Sequence, residues 1–400
     1  MDTARRTHGF RESVIRGMTR LAREHNSINL AQGFPNFPAP DLLKEAAIKA
    51  IGDDINQYAI TWGAQRLREA LARKYERWYG ISADPEREIT VTCGATEAMI
   101  ATLLAVVNPG EEVIVFEPFY ENYGPDTILA DARPVYVPLQ PGQALDLDQL
   151  AAAFSSRTRA IIVNTPSNPA GRVLSRAELK AIGDLCVRHD ALAITDEIYE
   201  HIRFDGEHLP MATLPGMRER TVTISGGSKT FSVTGWRVGW IIAPPALTGA
   251  IRKVHDFLTV GAPAPLQEAI AAALDELDEA FYRQLAETYR GRRDLLYSAL
   301  KDAGFGCTAP EGAYYILADF SALALMDDTE FSVWLSREVG VTPVPGSSFF
   351  REGGERRPLV RFVFCKTEDV LAEAAARLRS IGGARQARPA EVALKSGLQQ

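Results

Sequence analysis

The sequence has few cysteines and lacks long apolar runs. Its 400 residues include four cysteines, Cys93, Cys186, Cys307 and Cys365, which lie far apart and form no CxxC pair. This spacing argues against a disulfide framework or a zinc site and favours free thiols in a reducing compartment. The N-terminal stretch MDTARRTHGF has no apolar signal core, and no apolar run reaches the length of a membrane span. We therefore expect a cytoplasmic protein.

An excess of positive charge is also lacking. The chain has 44 Lys and Arg against 51 Asp and Glu, a net charge of −7, and contains no Lys/Arg run. A mildly acidic chain is a poor candidate for binding nucleic acid. Hydrophobic residues make up 46% of the chain and charged residues 24%, which is typical of a globular protein with a large core. The length of the chain predicts two domains.

Strand-like and helix-like patterns alternate along the first part of the chain. Short apolar runs such as Ala160–Asn164 are separated by amphipathic segments such as Gln65–Tyr79 and Arg176–His189. Apolar strands bounded by helices predict an α/β fold, in which a mainly parallel sheet lies between two helix layers.

The pattern changes after about residue 280. A long charged helix is followed there by shorter strands and helices, which predicts a smaller α+β domain. We predict a large domain over residues 41–280, an N-terminal arm and small domain over residues 1–40 and 281–382, and a flexible tail over residues 383–400.

One lysine has surroundings that suit covalent chemistry. In SKTFSVTGWRVGW, Lys229 follows the small residues Ser225-Gly226-Gly227-Ser228 and comes eight residues before Arg237. A lysine that forms a Schiff base needs small neighbours so that its amine can reach an aldehyde. It also needs a lowered pKa, which burial and a nearby cation favour. Arg237 could supply that cation and hold a phosphate.

Seven further stretches accompany this segment in order: INLAQGFPNFPAPD, INQYAITWGAQRLREAL, VTCGATEAM, FEPFYENY, VNTPSNPAG, ITDEIYEHI and VRFVF. Together they resemble the fold-type I enzymes of the class I and II aminotransferases, which use pyridoxal 5′-phosphate (PLP). The branch with kynurenine/glutamine and methionine aminotransferases is the most similar. The resemblance implies PLP as cofactor and no metal. It also implies transfer of an amino group from an L-amino acid to a 2-oxo acid by a ping-pong mechanism.

The resemblance assigns catalytic roles to Lys229, Asp196 and Tyr199. Lys229 would bind the cofactor's aldehyde carbon and move the substrate's α-proton. Asp196 follows an apolar run, at the strand end where α/β proteins bind ligands, and would keep the cofactor's ring nitrogen protonated. Tyr199 and Asn168 would donate hydrogen bonds to the phenolic oxygen of the cofactor. Ser228 joins the predicted cofactor contacts.

The remaining predicted cofactor contacts come from a helix start, an aromatic residue and a second subunit. The amides of Gly94, Ala95 and Thr96 stand before an apolar helix, where the helix dipole favours a phosphate. By resemblance, Tyr120 stacks on the cofactor ring and Tyr58 reaches the phosphate of the neighbouring subunit. We therefore expect a homodimer with shared active sites.

The predicted substrate contacts are Arg361, Gly33 and Asn168. Arg361 lies in an alternating segment and matches the position at which the family binds the α-carboxylate, which a guanidinium can hold through two parallel hydrogen bonds. By the same resemblance, Gly33 would bring backbone close to the substrate. Gly226 stands where the family often has a phosphate-binding serine, which predicts a rearranged phosphate site flanked by Ser225 and Ser228.

An apolar set near the family's side-chain pocket has no evident cation, which predicts neutral amino-acid substrates rather than diacids, apart from the glutamate/2-oxoglutarate couple. This set comprises Ile15, Trp62, Val260 and Gly261. Two alternatives stay open: β-elimination from cysteine conjugates with the same lysine and cofactor, and a preference for aspartate as amino donor. The sequence does not identify the preferred donor or acceptor.

Overall fold

The computed structural model describes residues 3–4, 7–8, 12–139, 142, 144–351 and 357–386. The helices among these residues are α1 (Val14–Glu24), α2 (Asp41–Gly52), α3 (Gln65–Tyr79), α4 (Ala95–Val106), α5 (Tyr123–Leu129), α6 (Leu147–Ala153), α7 (Arg176–His189), α8 (Gly227–Thr230), α9 (Pro245–Leu258), α10 (Ala264–Glu276), α11 (Glu279–Ala303), α12 (Asp328–Trp334) and α13 (Glu368–Gln386). The strands are β1 (Ile28–Asn29), β2 (Ile89–Thr92), β3 (Glu112–Glu117), β4 (Arg133–Pro138), β5 (Thr158–Asn164), β6 (Leu192–Asp196), β7 (Thr221–Gly226), β8 (Gly239–Ile242), β9 (Gly306–Cys307), β10 (Tyr315–Asp319), β11 (Val341–Thr342), β12 (Val344–Pro345) and β13 (Leu359–Val363).

The large sheet has the strand order β2-β8-β7-β6-β5-β3-β4. The strands from β7 to β4 run parallel, whereas β8 is antiparallel to both of its neighbours. Successive residues of β5 point to opposite faces: Ile162 packs with α4 and α9, and Ile161 and Val163 pack with α6 and α7. Because both faces are covered, a strand such as β5 has a continuous apolar centre, from Ala160 to Val163. The predicted α/β fold with a mainly parallel sheet is confirmed.

A second, antiparallel sheet follows in the C-terminal part of the chain, with the order β12-β13-β10-β9. Apolar residues of α11 and α13, including Leu296 and Leu371, pack with Phe362 of β13 in one core. The last helix continues to Gln386, four residues into the segment predicted as a tail, and residues 387–400 lie outside the described residues. No helix in the described ranges is both long and apolar enough to cross a membrane.

The carboxyl ends of the parallel strands create the place for a site. Asp196 is the last residue of β6, Asn168 follows β5, and the short helix α8 with Lys229 begins directly after β7. Because parallel strands end at one edge, these side chains meet there although they are far apart in sequence.

Candidate active site

A cavity of about 130 Å³ lies at this edge of the large sheet. It brings together nine of the predicted site residues: Ala95, Thr96, Tyr120, Asn168, Asp196, Tyr199, Ser228, Lys229 and Arg237. Gly33, Gly94 and Arg361 contact members of this set, as described below. The predicted residues therefore form one cluster, apart from Tyr58.

Lys229 is buried, and its amine loses a proton more readily than that of an ordinary lysine. Burial is the main cause and lowers the pKa of Lys229 to about 8, and the positive charges of Arg237 and Arg361 act in the same direction. Its Nζ donates to the carbonyl oxygen of Gly33 at 3.4 Å. That carbonyl also accepts from the Tyr314 hydroxyl at 2.9 Å. A neutral amine close to physiological pH is what a nucleophilic lysine requires.

Asp196 is a buried carboxyl group. Its Oδ2 accepts a hydrogen bond from the Tyr123 hydroxyl at 2.7 Å, and its Oδ1 accepts from the backbone N–H of Ile198 at 3.3 Å. Burial nevertheless dominates and raises the pKa of Asp196 above its usual value. A carboxylate in this position gains stability from a bound cationic group.

Tyr199, Asn168 and Arg361 connect the cavity to the second sheet. The hydroxyl oxygens of Tyr199 and Tyr315 are 2.7 Å apart. Arg361 Nη1 donates to Asn168 Oδ1 at 2.8 Å, and Nη2 donates to the carbonyl of Ala31 at 2.7 Å. Because its oxygen is used by Arg361, the Asn168 amide presents its NH₂ group as a donor.

The opposite end of the cavity has the features of an anion site. Helix α4 begins there with Gly94 as its N-cap, which has no side chain to occupy the free amides of the first turn. A Cβ atom at Gly94 would lie 2.4 Å from Arg237 Nη2, so only glycine allows this close approach. Arg237 itself adopts a φ of 55°, a left-handed conformation that is costly for this residue type.

Gly226 leaves little room for the serine that the family often has at this position. A Cβ atom there would lie 3.0 Å from the Val238 carbonyl oxygen and 3.1 Å from Ile198 Cδ1. The two flanking serines have different surroundings: Ser228 lines the cavity, whereas Ser225 donates to Glu200 Oε1 at 2.7 Å. Ser228 is therefore the hydroxyl available to a phosphate.

Tyr58 and the predicted side-chain pocket lie away from the cavity. Tyr58 is 88% exposed. Thr61 belongs to the same loop as Tyr58, and Gly261 packs beside Thr61. Val260 is half exposed. Neither Trp62 nor Ile15 lines the cavity within the described part of the chain, and Ile15 of α1 packs beside Met18.

Among the cavity residues that were not predicted are Tyr123, Tyr315 and Asp126. Tyr123 and Asp126 are three residues apart in α5, a spacing that could have indicated a shared face. Asp126 is buried, and its Oδ2 has no hydrogen-bond partner among the described residues. Burial raises the pKa of Asp126 to about 7. In the described ranges, no His, Cys, Asp and Glu side chains are grouped to hold a metal ion.

Comparisons with known proteins identify the family of the chain. Residues 25–378 match the model of the family "Aminotransferase class I and II". The chain is 42% identical over 388 residues to a probable N-succinyldiaminopimelate aminotransferase of Mycobacterium tuberculosis, covering 94% of this chain and 98% of that protein. It is 40% identical over 371 residues to the methionine aminotransferase of Escherichia coli, covering 92% and 96%.

A solved structure of the N-succinyldiaminopimelate aminotransferase from Mycobacterium tuberculosis superimposes with a TM-score of 0.92 at 42% identity, covering 95% of this chain and all of that chain. The resemblance drawn from the sequence motifs is confirmed.

Proposed function

Because the chain belongs to the class I and II aminotransferase family and is an aminotransferase, we propose that it works with PLP bound to Lys229. The observation that carries the proposal is the buried Lys229 amine, whose pKa is lowered to about 8, in one cavity with Asp196 and Arg237. These three groups suit an aldehyde carbon, a protonated ring nitrogen and a phosphate, respectively.

The remaining contacts also fit the cofactor. Ala95 and Thr96 would offer backbone amides to the phosphate, and Ser228 a hydroxyl. Tyr120 would cover the ring, and Tyr199 would donate to the phenolic oxygen together with Asn168. The close approach of Arg237 to Gly94 forms the cradle that a phosphate requires. We therefore propose all of the predicted cofactor contacts in this protomer as binding residues.

When bound, PLP supplies an aldehyde for an amine and a ring that accepts electrons from the substrate's Cα. In the proposed mechanism, Arg361 binds the α-carboxylate and so orients the substrate. Lys229 Nζ is then the base that takes the proton from Cα, because its pKa, lowered to about 8, makes the neutral amine far more available than in an ordinary lysine. The protein alternates between an amino-acid half-reaction and a 2-oxo-acid half-reaction, which gives ping-pong kinetics.

We further propose that the active unit is a homodimer. Tyr58 is 88% exposed in the single chain, and the apolar side chains of Ile60, Phe257 and Val260 near it are also exposed. Exposed apolar patches of this kind typically mark an interface. A second copy seated there would cover the patch and bring Tyr58 to the partner's phosphate site.

The cofactor assignment can be tested by chemical labelling. Borohydride reduction of the PLP-loaded protein, followed by peptide mapping, should place the pyridoxyl group on Lys229. Lys366 provides an internal control, because it is also buried and donates to the carbonyl of Phe34 at 2.9 Å, close to Gly33. Label on Lys366, or on any other lysine, would contradict the assignment, and Lys229→Ala should remove the label.

A further inference from the structure

A buried histidine–glutamate pair lies beside the start of α4. The residues Gly94, Ala95 and Thr96 there form the predicted phosphate-binding turn. His255, in the last turn of α9, is fully buried, and its Nδ1 lies 2.8 Å from Glu97 Oε1. Its Nε2 lies 2.7 Å from the carbonyl oxygen of Thr61. A carboxylate and a carbonyl can only accept hydrogen bonds, so both ring nitrogens must donate. The imidazole is therefore positively charged in this arrangement.

The pair is connected to two segments that the proposed function uses. Glu97 Oε2 accepts from the backbone N–H of Cys93 at 2.9 Å, and the Cys93 carbonyl accepts from Arg237 Nη2 at 3.3 Å. These bonds fix the residue that precedes the N-cap of α4. On the other side of the ring, Thr61 belongs to the exposed loop that carries Tyr58.

We propose that His255, as an imidazolium, is a positioning residue that holds the phosphate-binding turn and the Tyr58 loop in one fixed arrangement. The proposal rests on the proposed function, because it takes this turn as the phosphate site. A neutral side chain cannot replace the ring. The single amide nitrogen of glutamine, for example, does not provide two donors pointing in opposite directions.

The charge on His255 depends on its neighbours. The charged and titratable groups around it are Glu97 on α4, Asp256 on its own helix and, beyond Glu97, Cys93 and Arg237. Burial disfavours the charged ring, but the hydrogen bond and charge of Glu97 outweigh it, and the pKa of His255 is raised above its usual value. Both hydrogen bonds of the imidazolium, to Glu97 and to the Thr61 carbonyl, are therefore made at low pH. One of them is lost as the pH rises through this raised pKa.

The test compares PLP binding in the wild type and His255→Gln. Each protein is stripped of cofactor and titrated with PLP between about pH 6 and pH 9, a range that spans the histidine pKa values found in proteins. Loss of a hydrogen bond to a charged group should weaken binding by about tenfold or more at the low end. The ratio of the two dissociation constants should fall towards one at the high end, where the wild-type ring has also lost its proton.

A second His–Glu pair provides the matched control. His208 Nε2 lies 2.6 Å from Glu197 Oε2, and both side chains are buried, but this pair is not bonded to the phosphate-binding turn. For His208→Gln, the ratio of its PLP dissociation constant to that of the wild type should not change with pH. Hydrogen exchange of residues 55–64 should be faster in His255→Gln and unchanged in His208→Gln.

The outcomes separate the inference from the function on which it rests. A wild-type protein that does not bind PLP would overturn the proposed function. If the wild type binds PLP and the His255→Gln ratio is one, or is constant across the pH range, the positioning role is refuted while the function stands. Glu97→Gln combined with His255→Gln should bind no more weakly than the weaker single variant, and fully additive losses would also refute the role.

Discussion

Replacing Arg361 by lysine should weaken every amino-acid substrate by a similar factor. Arg361 is 1% exposed, and its Nη atoms donate to neutral oxygens of Asn168 and Ala31. Its guanidinium carbon lies 4.5 Å from the centre of the Tyr315 ring and 4.6 Å from that of Phe349. A buried cation among neutral groups benefits strongly from a counter-charge, which the α-carboxylate shared by all substrates would supply.

The expected magnitude follows from the geometry of the two side chains. Lysine keeps the charge but has one nitrogen, so it loses the planar fork and the stacking on both rings. Loss of one hydrogen bond to a charged group costs about 1.5–3 kcal/mol, which corresponds to roughly 10- to 100-fold in affinity. Arg361→Lys should therefore lower kcat/KM by this factor for methionine, glutamine, leucine and phenylalanine alike.

The assay is a comparison of half-reaction kinetics across these amino acids, with thermal unfolding to show that the variant is folded. Arg379→Lys is the control, because Arg379 forms a half-exposed ion pair with Asp302 and should behave as wild type. A loss confined to aspartate and glutamate would make Arg361 a reader of the substrate side chain and refute the reasoning. A wild-type preference for aspartate over the four neutral amino acids would refute the predicted neutral specificity.

Three further predictions concern the other charged groups and the dimer. Asp196→Asn should leave the fold intact and slow transamination by roughly 10²- to 10³-fold; near-normal turnover would reject its role. Mixed Lys229→Ala and Tyr58→Phe protomers should recover activity, since one site of a heterodimer then carries neither lesion; subunit exchange without recovery would argue against shared sites. The pKa of Asp126 is raised by burial from 3.8 to about 7, so the native state holds a proton that the unfolded chain has lost, and stability falls as the pH rises between these values. Asp126→Asn should therefore stabilise the protein at pH 8 by up to about 4 kcal/mol and hardly at all at pH 4; equal unfolding temperatures of wild type and variant at pH 8 would contradict this.

Local signals were sufficient to predict most of the fold and much of the cavity. The predicted bounds of α3 and α7 agree with the structure, because amphipathic periodicity and a capping serine are local properties. Asp196 was predicted at the end of a strand and lies there. The residues that suit Lys229 to covalent chemistry lie within about a dozen positions of it. The sequence alone was therefore sufficient to predict its role.

Features that depend on distant contacts could not be read from the sequence. Helix α5 was missed because it contains Gly124 and Pro125, yet it forms with Tyr123 buried against the core. The contact of Tyr315 with Tyr199 joins two sheets, and the burial of Asp126 depends on its packing beneath the cavity. The domain boundaries, the roles of the site residues and the dimer stay predictions.

The cradle formed by Gly94 and Arg237 also has a consequence for how the protein matures. Strand β2 lies at the edge of the large sheet and pairs with β8, which places Thr92 opposite Gly239. These segments are far apart in the chain, so their pairing is a slow, non-local folding event. A nascent chain cannot assemble the cradle before residue 240 has been synthesised, and a ligand bound there would stabilise only chains that have completed this pairing. Cofactor capture would then follow the pairing of β2 with β8 and not precede it.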